Sequence, residues 1–227
     1  MKKYKIDLNR IYEFIINLIF PQVCGKCNKV CRSSICNKCN LDLNKIKEFK
    51  VIDSRYDDSI NNFSELIYVF KYEEIIRKLI LDFKFNDKPY IGKTFVDFIL
   101  KDKKTVENIK KYDTIIPVPI SKKRKKQRGY NQSYIIANEI AKKTKLKILN
   151  NCLVKTKNIV EQSSLNKEDR KKNISNVYSL KNALYLKDKK ILLIDDIYTT
   201  GSTVNECCKE LLKGKPKKIG VLVLAKD

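Results

Sequence analysis

The stretch ILLIDDIYTTGST, residues 191–203, decides how the rest of the chain is read. Its four leading apolar residues form a bounded run suited to a buried strand, and two adjacent carboxylates follow at Asp195 and Asp196. A hydroxyl-rich turn, Thr199-Thr200-Gly201-Ser202-Thr203, comes next, and Val204, Cys207, Cys208, Leu211 and Leu212 then repeat at helical spacing. Thr203 and Glu206 have the form of a capping box, so a helix is expected to start at the turn. A helix N-terminus gathers unpaired N–H groups and the positive end of the dipole, which suits an anion. Gly201 lets the backbone approach a phosphate closely, and the hydroxyls add donors. Carboxylates repel phosphate, so Asp195 and Asp196 are expected to accept hydrogen bonds from vicinal hydroxyls of the sugar carrying it. The stretch therefore reads as a grip on a phosphorylated pentose, with acids for the ribose and the turn for its 5′-phosphate.

Outward from it, TIIPVPI (114–120) is a second buried parallel strand, followed by a very basic loop, SKKRKKQRGYNQS, and a helix carrying Ile135, Ile136, Ile140 and Ala141. CLVKT near 152 and IGVLVLA at the end add strands, and the segment before residue 100 reads as a short strand, a helix with Ile75, Ile76, Leu79 and Ile80, and another helix from Tyr90. Strands alternating with helices imply an α/β fold with a parallel sheet, whose ligands bind beyond the carboxyl ends of the strands. Residues 157–176 show no sustained period and read as a polar excursion of the kind that forms a lid. Residues 41–65 are polar and irregular, a join between the front of the chain and the sheet.

Cys24 with Cys27, and Cys36 with Cys39, form two C-x2-C pairs. Each pair turns two thiolates toward a common centre, and two pairs supply the four tetrahedral sulfur ligands that Zn2+ prefers. A closed four-ligand site is structural, since no position is left for water or substrate. An iron–sulfur cluster uses the same spacing, whereas disulfides are disfavoured in a reducing compartment. Cys31 lies between the pairs as a bystander or alternative ligand, and Cys152, Cys207 and Cys208 read as small core residues.

The chain has 227 residues, with 49 Lys and Arg against 26 Asp and Glu, a formal charge of +23. Such an excess favours a polyanionic partner, although lysine spread over solvated faces would give the same total. No histidine is present, which excludes Ser-His and Cys-His nucleophilic pairs and an imidazole base. No run approaches the ~20 apolar residues of a membrane span. MKKYKIDLNRIYEFIINLIFPQVC mimics a signal peptide, but Glu13 and Asn17 interrupt its apolar stretch and Pro-Gln-Val before Cys24 is not a cleavage site. Ile11, Phe14, Ile15, Leu18 and Ile19 instead predict an amphipathic helix, and the protein is expected in the cytoplasm. The expected organisation is an N-terminal helix (1–22), a cysteine-rich zinc module (23–50) and an α/β domain (51–227).

DDIYTTGST resembles the ribose-phosphate motif of type I phosphoribosyltransferases, which bind 5-phosphoribosyl-1-pyrophosphate (PRPP) with Mg2+. More closely, FPQVCGKC, the paired cysteines, LILDFKF, IIPVPISKKRKKQRGYNQ, EQSSLNKEDRKKNISNVY and LLIDDIYTTGST resemble, in that order, the ComF family of competence-associated proteins. The likeness covers nearly the whole chain and implies a type I phosphoribosyltransferase-like sheet behind a small four-cysteine zinc module. It places the ribose on Asp195 and Asp196, the 5′-phosphate on Thr199, Thr200, Gly201, Ser202 and Thr203, and the pyrophosphate near Arg124, Arg128 and Gly129. Cations there would stabilise charge developing on a leaving pyrophosphate. Residues 157–176 would be the hood, with Gln162, Leu165, Arg170 and Asn173 in the family pattern. Thr199 stands where purine-salvage relatives carry a carboxylate, which argues against hypoxanthine-type salvage, and no glutaminase domain is expected ahead of the module. The resemblance implies an accessory role in DNA uptake and natural transformation, with single-stranded DNA and a DNA-uptake helicase as candidate partners. An active phosphoribosyltransferase and a non-catalytic PRPP sensor are the alternatives, and no catalytic residue is assigned.

Overall fold

The computed structural model describes residues 21, 23–57, 62–156 and 177–227. The expected N-terminal helix, and the hood with Gln162, Leu165, Arg170 and Asn173, lie outside the described residues.

Eight strands are present among the described residues: β1 (Lys47–Asp53), β2 (Glu65–Lys71), β3 (Thr114–Pro117), β4 (Lys147–Ile148), β5 (Leu153–Lys155), β6 (Tyr178–Leu180), β7 (Lys190–Tyr198) and β8 (Lys218–Lys226). The main sheet has the order β1-β2-β8-β7-β3-β4, and β5 pairs with β6 in a separate antiparallel ribbon. Within the main sheet β2, β8, β7, β3 and β4 are mutually parallel, and only the edge strand β1 runs antiparallel to its neighbour.

Alternation along the strands divides the core between two faces. Leu192 and Ile194 of β7 join Leu222 and Leu224 of β8 on one face. Ile191 and Leu193 join Val221 and Val223 on the other. The first face is covered by helices α2 (Glu74–Phe85), α3 (Tyr90–Ile99), α4 (Lys103–Ile109) and α6 (Gln132–Thr144), through Ile80, Phe95, Ile109 and Ile136 among others. The second is covered by α7 (Ser202–Leu212), through Val204, Cys207, Cys208 and Leu211, and by the β5–β6 ribbon. The cysteine-rich front shares the first core: Cys24, Ile35, Cys39 and Leu43, the last two on helix α1 (Asn37–Lys45), pack in the same cluster. Thr94 Oγ1 on α3 donates to the Ser34 carbonyl at 2.8 Å, and Ser34 Oγ donates to Asp97 at 2.5 Å.

Four expectations need correction. The polar stretch 41–65 contains β1, whose half-exposed pattern gave little alternation to read but which pairs with β2 from Lys47 to Asp53. The basic loop after β3 is largely helix α5 (Lys122–Arg128), capped by Ser121, whose hydroxyl accepts from the Arg124 N–H at 3.2 Å. Strand β7 does not stop at Ile194; Asp195 pairs with Val223 and Tyr198 with Lys226, so the acid pair belongs to the strand. Finally, Gly201, at φ 71°, holds the N-cap position of α7 without a side-chain cap, so the Thr203–Glu206 capping box does not form.

Candidate functional site

The carboxyl ends of β3 and β7 lie side by side, and the Val118 N–H donates to the Ile194 carbonyl at 2.9 Å. That juxtaposition brings the chain after β3 against the acid pair. A cleft of about 260 Å³ opens there, with Asp195, Asp196, Thr199 and Thr203 on one side and Val118, Pro119, Arg124 and Arg128 on another. Thus the acid pair, two members of the hydroxyl turn and two of the predicted pyrophosphate residues meet in one space. Gly129, in the left-handed conformation at the C-terminus of α5, lines a neighbouring groove with the same two arginines.

Thr200 and Ser202 face each other across the turn, their hydroxyl oxygens 2.9 Å apart. The Asn205 N–H donates to the Gly201 carbonyl at 2.8 Å, closing the first turn of α7. A side chain at 201 would collide with the hydroxyl and ring of Tyr198, so glycine is required both by its positive φ and by this contact.

The acid pair is held in two different ways. Asp195 Oδ1 accepts from Ser133 Oγ and from the Asp196 N–H, each at 2.9 Å. Burial, reinforced by the charge of Asp196, pushes the Asp195 carboxyl up to about 7, although Lys84 and these two hydrogen bonds pull the other way. Asp196, only 8% exposed, is ion-paired to Lys84 Nζ at 2.9 Å. Ser133 is delivered by α6, whose N-cap Asn131 accepts from the Ser133 N–H at 3.1 Å and anchors to the Val118 carbonyl at 3.0 Å.

Lys84 and Ser133 were not foreseen as site residues. Lys84 did leave a signal: Ile76, Ile80 and Lys84 are spaced four apart, so the helical period of α2 sends a cation to a place meant for the core. A lysine there needs a partner, and Asp196 is that partner. Ser133 had no readable signal of its own.

At the front of the molecule the thiols of Cys24, Cys27, Cys36 and Cys39 lie within 4.8 Å of one another, with Cys27 and Cys36 Sγ 3.9 Å apart. Zn–S bonds of ~2.3 Å in a tetrahedron require sulfurs about 3.8 Å apart, so the cluster can hold such an ion. Cys31 stays outside it, its thiol directed to the Ser33 carbonyl at 2.9 Å. Burial raises the Cys24 thiol, but backbone N–H groups of Cys36, Cys27 and Lys26 outweigh it and bring it down to about 6. Burial and hydrogen bonding to the other thiols push Cys39 well above the ordinary range. Cys152, Cys207 and Cys208 are buried core residues as read.

Residues 127–227 match the phosphoribosyl transferase domain family. The chain is 29% identical to competence protein F of Haemophilus influenzae over 211 residues, 90% of both proteins. Both findings make the chain similar to ComF-family proteins. The chain is also 27% identical to competence protein ComFC of Bacillus subtilis, over 70% of its length and 63% of that protein. It is 23% identical to the DNA utilization protein YhgH of Escherichia coli over 90% of both. A purine phosphoribosyltransferase from Pyrococcus horikoshii overlays on 58% of this chain and 74% of its own at 19% identity, with a TM-score of 0.39. The domain match and the sheet order together describe a mixed α/β fold with a mostly parallel, phosphoribosyltransferase-like sheet and a four-cysteine cluster at its front. No helix among the described residues is long and apolar enough to cross a membrane.

Proposed function

We propose that this protein is a ComF-like accessory factor of DNA uptake that binds PRPP or a related phosphoribosyl ligand with Mg2+, and single-stranded DNA, in the cytoplasm. The observation that carries the reading is the convergence of Asp195 and Asp196 with the α7 turn and with Arg124 and Arg128 around one cleft. In it, Asp195 and Asp196 accept from the ribose 2′- and 3′-hydroxyls, and the amides and hydroxyls of Thr199 to Thr203 bind the 5′-phosphate. Arg124, Arg128 and Gly129 take the pyrophosphate. Magnesium, when bound with the ligand, supplies charge neutralisation on the pyrophosphate oxygens. The hood role of Gln162, Arg170 and Asn173 is carried over from the resemblance alone. The relatives' names, competence and DNA utilization proteins, support the DNA-uptake role. The four cysteines hold structural Zn2+, and an uptake helicase is the protein partner proposed. The proposed units are an N-terminal helix (1–22), the zinc module (23–50) and the phosphoribosyltransferase-like domain (51–227).

A second reading, an active phosphoribosyltransferase, is favoured by Asp195, whose carboxyl near 7 can exchange a proton at neutral pH beside the sugar site. The test is pyrophosphate release from PRPP and Mg2+, assayed with amine, base and single-stranded DNA acceptors. Release with one acceptor identifies a transferase. Saturable binding without release identifies an accessory factor or sensor, and absence of PRPP binding overturns both. A salt titration completes it: a log–log slope of DNA affinity near zero would remove the phosphate-binding surface.

A further inference from the structure

Beside the sugar-phosphate cleft lies a larger groove of about 620 Å³, lined by Lys84, Phe85, Asp87, Arg124, Arg128 and Gly129. The two spaces share Lys84, Arg124 and Arg128, so they form one continuous surface. Phe85 ends α2 with 63% of its area exposed, an unusual cost for an aromatic ring at the rim of a charged groove. The ring is held in place. Tyr130 Oη donates to the Phe83 carbonyl at 2.6 Å and its ring stacks on Phe83 with centroids 5.8 Å apart, which fixes the end of α2 to the chain after α5. From the last residue of α5, the Arg128 guanidinium lies 4.7 Å from the Phe85 ring centre and donates to Gln132 Oε1 at 3.3 Å. Arg128 is thereby ordered against one aromatic face, as a stacked guanidinium is.

We propose that Phe85, with Arg128, is a stacking platform for a nucleobase whose attached phosphate is held by Lys84, Arg124 or the lysines of α5. A planar, uncharged ring fits an exposed aromatic face, and a polyanionic backbone fits KKRKKQR, a helix with six cations, no acid and no buried residue. Asp87, the one carboxylate lining the groove, would repel a phosphate but can accept from ring or exocyclic N–H groups of a base. The base belongs either to a single strand or to a free nucleotide, and the chemistry of the platform is the same for both. The inference extends the sugar-phosphate reading of the adjoining cleft, because it places the nucleobase partner directly beside the phosphoribosyl ligand.

The chain has no tryptophan, so Phe85→Trp creates a single tryptophan at the platform, which can be excited selectively over the tyrosines. With zinc-loaded full-length protein, an oligothymidylate of about 12 nucleotides should quench this tryptophan saturably. Phe85→Leu should weaken wild-type affinity for the oligomer roughly tenfold, without changing the log–log salt slope. An abasic oligomer of equal length should bind wild type and Phe85→Leu alike. Quenching by thymidine monophosphate at comparable concentration assigns the platform to a free nucleotide, and quenching by the oligomer alone assigns it to a strand. Equal oligomer binding by wild type and Phe85→Leu, or a tryptophan that responds to no nucleotide, overturns the proposal. Phe85→Leu should retain saturable PRPP binding with Mg2+, since it touches that site only through Arg128. Loss of PRPP binding in wild type itself would sink the sugar-phosphate reading while leaving the stacking result to stand alone.

Discussion

The cysteine cluster and the acid pair of β7 pose the same electrostatic problem and solve it differently. In each, groups that repel one another when ionised are gathered within a few ångströms. The four thiols face only a common centre and require a divalent cation to be deprotonated together. The acid pair has an internal cation: Lys84 neutralises Asp196, and Asp195, buried and beside that carboxylate, holds its proton up to about pH 7. If the four cysteines hold zinc as proposed, one region depends on an external ion to fold. The other already has partners within the chain, Lys84 for Asp196 and Ser133 for Asp195.

The largest effect should come from the first region. Cys24 and Cys39 are 0% and 4% exposed and lie in the core shared with the sheet, so losing the metal disturbs more than a local loop. Chelation, or Cys39→Ser, should lower Tm by about 10 °C or more in scanning calorimetry. Added Zn2+ should restore the chelated wild type but not the variant. A melting temperature indifferent to chelation would break the contrast.

The second region predicts a smaller, reciprocal pattern. Asp196→Ala leaves the partly buried Lys84 without its ion-pair partner and should cost about 3 kcal/mol in urea unfolding, while Lys84→Met combined with Asp196→Leu should recover most of that loss. Asp195→Asn has the opposite sign. The native carboxyl titrates near 7 and the unfolded one near ~3.9, so between these pH values the native state holds more protons and wild-type stability falls as pH rises. The asparagine does not titrate, so the variant should gain on wild type by about 2 kcal/mol between pH 5 and pH 8. A constant difference across that range would show that Asp195 carries no raised pKa.

The smallest effect belongs to the turn. Thr200→Ala removes an exposed hydroxyl whose described contacts are with Ser202 Oγ and the Ser202 N–H, the latter at 3.5 Å. Stability should stay within about 0.5 kcal/mol, while affinity for a phosphorylated pentose drops severalfold.

How far each region could be read in advance follows from its physics. Buried parallel strands are nearly continuous apolar runs, so β3, β7 and β8 stand out, and paired C-x2-C spacing names its four ligands by itself. Helix α5 was hidden because none of its residues is buried, leaving no hydrophobic period, only the Ser121 cap. Strand β7 ran past its apolar residues because pairing with β8 carries Asp195 through Tyr198 in register, a tertiary effect that local propensity does not contain. The ion pair of Lys84 joins residues more than a hundred positions apart. Its sequence trace was only a cation on an apolar helical stripe.

The central claim, that the acids of β7 and the turn before α7 together grip a phosphorylated pentose, is tested most directly by calorimetric titration of PRPP with Mg2+ into the zinc-loaded protein. Saturable binding by wild type, lost in Asp195→Asn and in Asp196→Asn although both remain folded, is the predicted result. Binding that survives in both variants, or none in wild type, would contradict it.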